Sequence, residues 1–224
     1  MTLSNSFLVK LCGLIMLLVS SQTQAQTYAE AHVLGVTSQL SGDSYNGFKK
    51  VGFAGGLGIL SPMSFEGHFL AFELNYIQKG VRDRRNEDQG DFNEFSLKAD
   101  YIELPVSYVF PAWGAYLQAG LSASYNLKFE QATNGLLSPP IIDQRTIELG
   151  LHFGVNFQIT DHLLFNVQYM NSLTPVQKSN VPYAYWFGQA GMHSVLGVKL
   201  QYFFKPPPFV WKKSKGPEVI ITTD

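Results

Sequence analysis

Seven ionisable residues recur at every second position within stretches of alternating polarity: Glu73, Glu103, Lys128, Glu130, Glu148, His152 and Lys199. Carboxylates, ammonium groups and an imidazole gathered on one side of a sheet can form salt bridges, pass a proton or hold an ion. Which of these is open depends on what they face. Residues 146–160 (T-I-E-L-G-L-H-F-G-V-N-F-Q-I-T) place Glu148 and His152 on one side with Gly150, Gly154, Asn156 and Gln158. The other side is Ile147, Leu149, Leu151, Phe153, Val155, Phe157 and Ile159. Side chains alternate across a strand, so this segment has one wholly apolar face and one polar face that carries the chemistry.

Catalytic sets are not apparent. No H-x-x-x-H, C-x-x-C, G-x-S-x-G or phosphate-loop spacing occurs. His193 and Ser194 are neighbours in a strand and therefore point to opposite faces. His32, His68, His152 and His162 are scattered singly, and a lone strand histidine is more often packed or solvated than a ligand. The expectation is no catalytic residue, no metal site and no cofactor, so not an enzyme.

The elements that position these residues are eight candidate strands: 30–39, 51–60, 68–81, 95–110, 114–130, 146–160, 163–171 and 192–204. In the fifth, Ala115 to Phe129 (odd numbers) oppose Tyr116 to Glu130 (even numbers), which would turn Lys128 and Glu130 to the polar face. Connections 61–67, 111–113 and 161–162 are short, whereas 40–50, 82–94, 131–145 and 172–191 are long. Bacterial outer-membrane barrels combine an even strand count with short periplasmic turns and long extracellular loops. A spanning strand needs about 9–11 residues. The reading is an all-β, eight-stranded antiparallel up-and-down transmembrane β-barrel with both termini in the periplasm. A soluble barrel with its apolar face inward and a small ligand inside is the rival architecture.

Residues 1–25 read as a secretory signal, with Lys10, a short apolar core from Leu11 to Val19, and small residues up to Ala25. Cys12, the one cysteine, lies inside that core and lacks a lipoprotein processing box. Beyond it no apolar stretch is long enough for a spanning helix. Without Lys10, 15 basic residues face 17 acidic ones, a balance that gives no support to nucleic-acid binding. The expected organisation is a signal at 1–25, a barrel at 26–204 and a Pro-rich periplasmic tail at 205–224.

An eight-stranded barrel is just wide enough for side chains to fill its interior. The seven inward groups are therefore expected to form a salt-bridge and hydrogen-bond plug, with a narrow ion or proton path as the alternative. Pro105 should interrupt the ladder beside Glu103. Aromatics near strand ends suit interfacial girdles: Phe110, Trp113, Phe157, Tyr202 and Phe204 on one side, Tyr76, Phe129 and Tyr169 on the other. The charged loop 82–94 reads as solvated, although it could meet divalent cations or lipopolysaccharide phosphates. Tyr183, Tyr185, Trp186 and Phe187 make the loop 172–191 a lid or a partner surface. In the tail, Pro206, Pro207 and Pro208 should form a stiff polyproline spacer before Phe209 and Trp211, candidates for docking a periplasmic or envelope protein.

Two motifs carry a family resemblance. The run from Phe72 to Gly80 (F-E-L-N-Y-I-Q-K-G), followed after a polar loop by Y-I-E-L-P-V from Tyr101 to Val106, resembles the PorT-type outer-membrane β-barrel family of Bacteroidetes. Leu117 to Leu121 and Gly197 to Leu200 resemble its next and last strands, so the similarity covers most of 30–204. The resemblance implies an eight-stranded outer-membrane barrel, often described only as porin-like, whose namesake takes part in type IX protein secretion. The chain departs from the pattern by continuing 20 residues beyond Phe204. The functional expectation is a non-enzymatic component or accessory of an envelope process, with a small solute or ion channel as the alternative.

Overall fold

The computed structural model describes residues 27–41, 48–83, 94–138, 145–176 and 191–209. Those residues form β1 (Tyr28–Ser41), β2 (Lys50–Pro62), β3 (Phe69–Asp83), β4 (Phe95–Ala112), β5 (Ala115–Thr133), β6 (Leu136–Ser138), β7 (Ile147–Gln158), β8 (Leu163–Ser172) and β9 (Met192–Phe203). Every pairing is antiparallel, and the sheet runs β4-β3-β2-β1-β9-β8-β7-β5 before β5 pairs with β4 and closes it. Eight staves therefore make the barrel, and the three-residue β6 only folds back on the end of β5. The β4–β5 hairpin turns through Trp113 and Gly114, both at positive φ (50° and 79°), the geometry a two-residue hairpin requires.

The apolar faces point outward. Val33, Phe53, Leu57, Leu74, Leu104, Leu121, Leu149, Phe153, Val198 and Leu200 are all exposed. A large apolar surface of this kind marks contact with an apolar medium rather than water. This removes the soluble-barrel alternative, which needs those side chains inside.

The interior is layered. At the end with the short turns, Tyr28, Leu60, Phe69, Val109, Tyr116, Leu164 and Phe203 form an apolar floor. At the end with the long loops, Leu34, Val36, Leu40, Ile77, Val81, Leu97, Tyr101 and Val195 form an apolar ceiling. Polar and charged side chains fill the space between. The floor receives a contribution from beyond the last strand. Phe209 folds back after the prolines, its N–H donating to Pro207 O at 2.8 Å. Its ring packs 4.5 Å from Tyr116 and 5.1 Å from Phe69, centroid to centroid. Phe209 thus seals the barrel floor rather than standing free for a partner.

One irregularity reorients the top of β5. Tyr101 pairs with Asn126 but Asp100 pairs with Lys128, so Leu127 is an extra residue, a β-bulge. Beyond it the phase of β5 inverts. Phe129 turns inward onto the ceiling, opposite Ala99. Lys128 and Glu130 turn outward, opposite Asp100 and Lys98, and form an exposed pair with each other at 2.5 Å. The expectation that Lys128 and Glu130 belong to the lumen, and Phe129 to an outer girdle, is corrected by this bulge. Pro105 does interrupt a ladder: β3–β4 pairing stops at Phe72↔Val106 and resumes at Asn75↔Glu103.

In membrane-embedded protein, Lys128→Cys should react with an aqueous maleimide while Phe129→Cys stays protected, and the reverse would deny the bulge. Phe209→Ala should lower the free energy of unfolding by about 1–2 kcal/mol, as expected for a half-buried aromatic, measured by urea titration.

Candidate functional site

The middle layer of the lumen gathers Glu73, Glu103, Glu148, His152 and Lys199 of the expected residues, all buried. It adds Glu30, His32, Lys79 and His193, which alternation on single strands did not single out. Each sits where its strand faces inward, and cross-strand register brings them together.

Two ionic groups result. In the first, β1 supplies Glu30 and His32, β3 supplies Glu73 and Asn75, and β9 supplies Lys199. Lys199 Nζ donates to Glu73 Oε1 at 2.7 Å. Asn75 Nδ2 donates to Glu73 Oε2 at 3.2 Å. His32 lies with Nδ1 3.0 Å from Glu30 Oε1 and Nε2 2.7 Å from Asn75 Oδ1. The intervening strand β2 makes room with glycines. A Cβ on Gly58 would fall 2.3 Å from Glu30 Oε1, and one on Gly56 only 2.4 Å from Asn75 Oδ1.

In the second group Lys79 of β3 reaches across the lumen. Its Nζ donates to Glu103 Oε1 on β4 at 3.1 Å and to Glu148 Oε1 on β7 at 3.0 Å. Ser122 and Ser124 hydroxyls donate to Glu103 Oε1 at 3.1 and 2.9 Å, and Ser172 donates to Glu148 Oε1 at 2.7 Å. His193 Nδ1 lies 2.8 Å from Glu148 Oε2. His152 Nε2 stands off at 3.5 Å from Glu103 Oε1, long for a hydrogen bond. The ammonium of Lys79 also lies 5.1 Å from the centre of the Tyr101 ring, within cation–π range.

An amide group completes the layer. Asn166 Nδ2 donates to Asn156 Oδ1 at 2.9 Å, and both asparagines approach Gln118 Oε1 at 3.4 Å. Among the described residues, two small cavities border this layer. A cavity of about 20 Å³ lies between this group and the floor, bordered by Glu30, Gln201 and Phe209. Another of about 10 Å³ lies beside Lys79, Glu103, Glu148 and His193. Each suffices for about one water. Glu30 Oε2 and Gln201 Oε1, two acceptors without a protein donor, border the first, so a water there can donate to both.

Chemically, the arrangement binds charge to charge across the barrel. The His193–Glu148 pair has the base-and-orienter half of a nucleophilic dyad; it lies beneath the apolar ceiling, and the cavity that the described residues leave beside it has room for about one water. Three groups, Glu30, His32 and Glu73, lie with polar atoms within 4.8 Å of one another, close enough to share a cation. The nearest one in the structure is the Lys199 ammonium on Glu73. Tyr183, Tyr185, Trp186, Phe187 and Trp211 lie outside the described residues, as does most of the loop 82–94. Arg82 Nη2 donates to Glu94 Oε1 at 2.9 Å, where that loop leaves and rejoins the barrel.

The sequence matches one family model, described as outer membrane protein beta-barrel domain, over residues 22–178. No curated protein matches it. Among solved structures, the Neisserial surface protein A is 16% identical, covering 80% of this chain and 98% of that one, with a TM-score of 0.48. Ail, the attachment invasion locus protein of Yersinia pestis, is 10% identical, covering 81% and 100%, with a TM-score of 0.41. The N-terminal beta-barrel domain of Pseudomonas aeruginosa OprF is 13% identical, covering 81% and 100%, with a TM-score of 0.37. At these identities and scores the likenesses carry no argument about what the chain does.

Removing the cross-lumen ammonium leaves two buried carboxylates uncompensated. Lys79→Met should therefore cost about 3–5 kcal/mol of barrel stability, whereas Lys128→Met at the exposed rim should leave the urea midpoint unchanged. Equal effects would contradict the layered interior.

Proposed function

The chain belongs to the outer membrane protein beta-barrel domain family, and from that premise we propose that it is a non-enzymatic, non-conducting barrel that works through its two ends. One observation carries the reading: the lumen is filled at three successive levels, by an apolar floor, an ionic layer and an apolar ceiling. A barrel filled this way offers neither a solute path nor a substrate cavity, which leaves loops and tail as the working surfaces.

In this reading the short turns and both chain ends face the periplasm, following the loop asymmetry of such barrels. Phe209 fixes the start of the tail beneath the floor. To residues 210–224, which follow it in sequence, this reading assigns the engagement of a periplasmic or envelope protein. At the opposite end, Arg82, Lys98, Lys128 and Glu130 lie on the outer wall above the apolar belt, level with lipopolysaccharide headgroups. The resemblance to the PorT-type family suggests protein secretion of the type IX kind as the envelope process, with this chain as component or accessory.

The test has two parts. In planar lipid bilayers the purified full chain should give no steady conductance, and a stable nanosiemens-scale pore would replace this reading with the channel. In mild-detergent purification from native membranes, the full chain should bring down stoichiometric partners that a chain ending at Phe204 loses. A barrel that purifies alone in both forms would contradict the role assigned to the tail.

A further inference from the structure

The first ionic group is one positive charge short. Glu30 and Glu73 are carboxylates, and Lys199 supplies one ammonium. The groups facing His32 are Glu30 on its own strand, Glu73 and Asn75 on β3, and Lys199 on β9; β2 presents only Gly56 and Gly58. Among the described residues of this group, the imidazole is the remaining carrier of a positive charge. A buried net charge is costly unless compensated.

Hydrogen-bond directions point the same way. A neutral imidazole has one donor nitrogen and one acceptor nitrogen, whereas the imidazolium donates from both. Both ring nitrogens of His32 face oxygens, Glu30 Oε1 at 3.0 Å and Asn75 Oδ1 at 2.7 Å. The orientation of Asn75 is set by its other end, because its Nδ2 donates to Glu73 Oε2. Rotating the amide would oppose Oδ1 to that carboxylate. Glu73 already accepts on both oxygens, from Lys199 and Asn75, so it has no place for a proton of its own. A neutral His32 leaves one lone pair against a buried oxygen unless Glu30 carries the proton and donates it to Nδ1; either way the extra proton lies on the Glu30–His32 hydrogen bond, of which the imidazole is the stronger base.

We propose that His32 is a proton-binding site of the folded barrel, holding an imidazolium that donates to Glu30 and Asn75 and completes the charge of the group. The proton is then a structural ligand, enclosed by floor and ceiling.

Nitrogen-15 NMR of the histidine rings, recorded on the full chain in lipid nanodiscs at pH 7.5, reads the site directly. His32 should show both ring nitrogens protonated, assigned by the signal lost in His32→Gln. A ring with one unprotonated nitrogen would overturn the proposal. So would a stoichiometric zinc ion in protein purified without chelators, with the Nε2 signal shifted by metal. A charge-balance comparison separates this role from simple packing. His32→Gln should lower the urea midpoint, and Glu30→Gln/His32→Gln should recover much of the loss, because the carboxylate left uncompensated is gone. A double variant no better than the single would count against the site.

Discussion

Everything inside this barrel follows from one constraint: charged groups sealed away from water must find their partners across the lumen. Lys79 spans from β3 to carboxylates on β4 and β7, and Lys199 joins β9 to β3. The Lys79–Glu148 and Lys199–Glu73 contacts link staves that are not neighbours in the sheet. Apolar packing alone holds a small barrel's floor and ceiling, but it does not fix which residue lies opposite which. The ionic layer does so, because a displaced partner leaves a buried charge exposed to low dielectric. The glycines of β2 fit the same constraint, since side chains at Gly56 or Gly58 would occupy the space of Asn75 and Glu30.

A second boundary runs around the outside. Below it the outward residues are mostly Leu, Val and Phe; above it they include Gln78, Lys98, Lys128 and Glu130, while the inward ones become apolar. The wall thus changes from a membrane pattern to a soluble one along the same strands. Strand β3 makes the change by substitution of residue types at constant phase. Strand β5 makes it with the bulge at Leu127, which turns its charges out and Phe129 in.

The fold was legible because most strands keep one pattern throughout. Strand β7 alternates without fault, and its observed span, Ile147–Gln158, falls within the expected 146–160. Strand β1 was harder to read because it crosses the boundary: Glu30 and His32 face inward at one level, Leu34 and Val36 face inward at the next. The placement of Lys128 and Glu130 could not be recovered from alternation, since a single extra residue inverts every later assignment. His32 and Glu73 are 41 positions apart and meet only through register across β2. Lys79 was within reach of sequence reasoning, as it shares the phase of Glu73 and Asn75. Phe209 was not, because an aromatic after three prolines gives no sign that the chain turns back.

The picture is of an outer-membrane barrel whose middle is filled by paired charges between two apolar layers. Its central claim is that the ionic layer couples opposite walls. A double-mutant cycle on Lys79→Met and Glu148→Gln, read by urea unfolding in lipid, tests that claim most directly. The account predicts strong coupling, about 2–3 kcal/mol, with the double variant far less damaged than the sum of the singles. Additive effects would mean that the two side chains stand near each other without holding the barrel together.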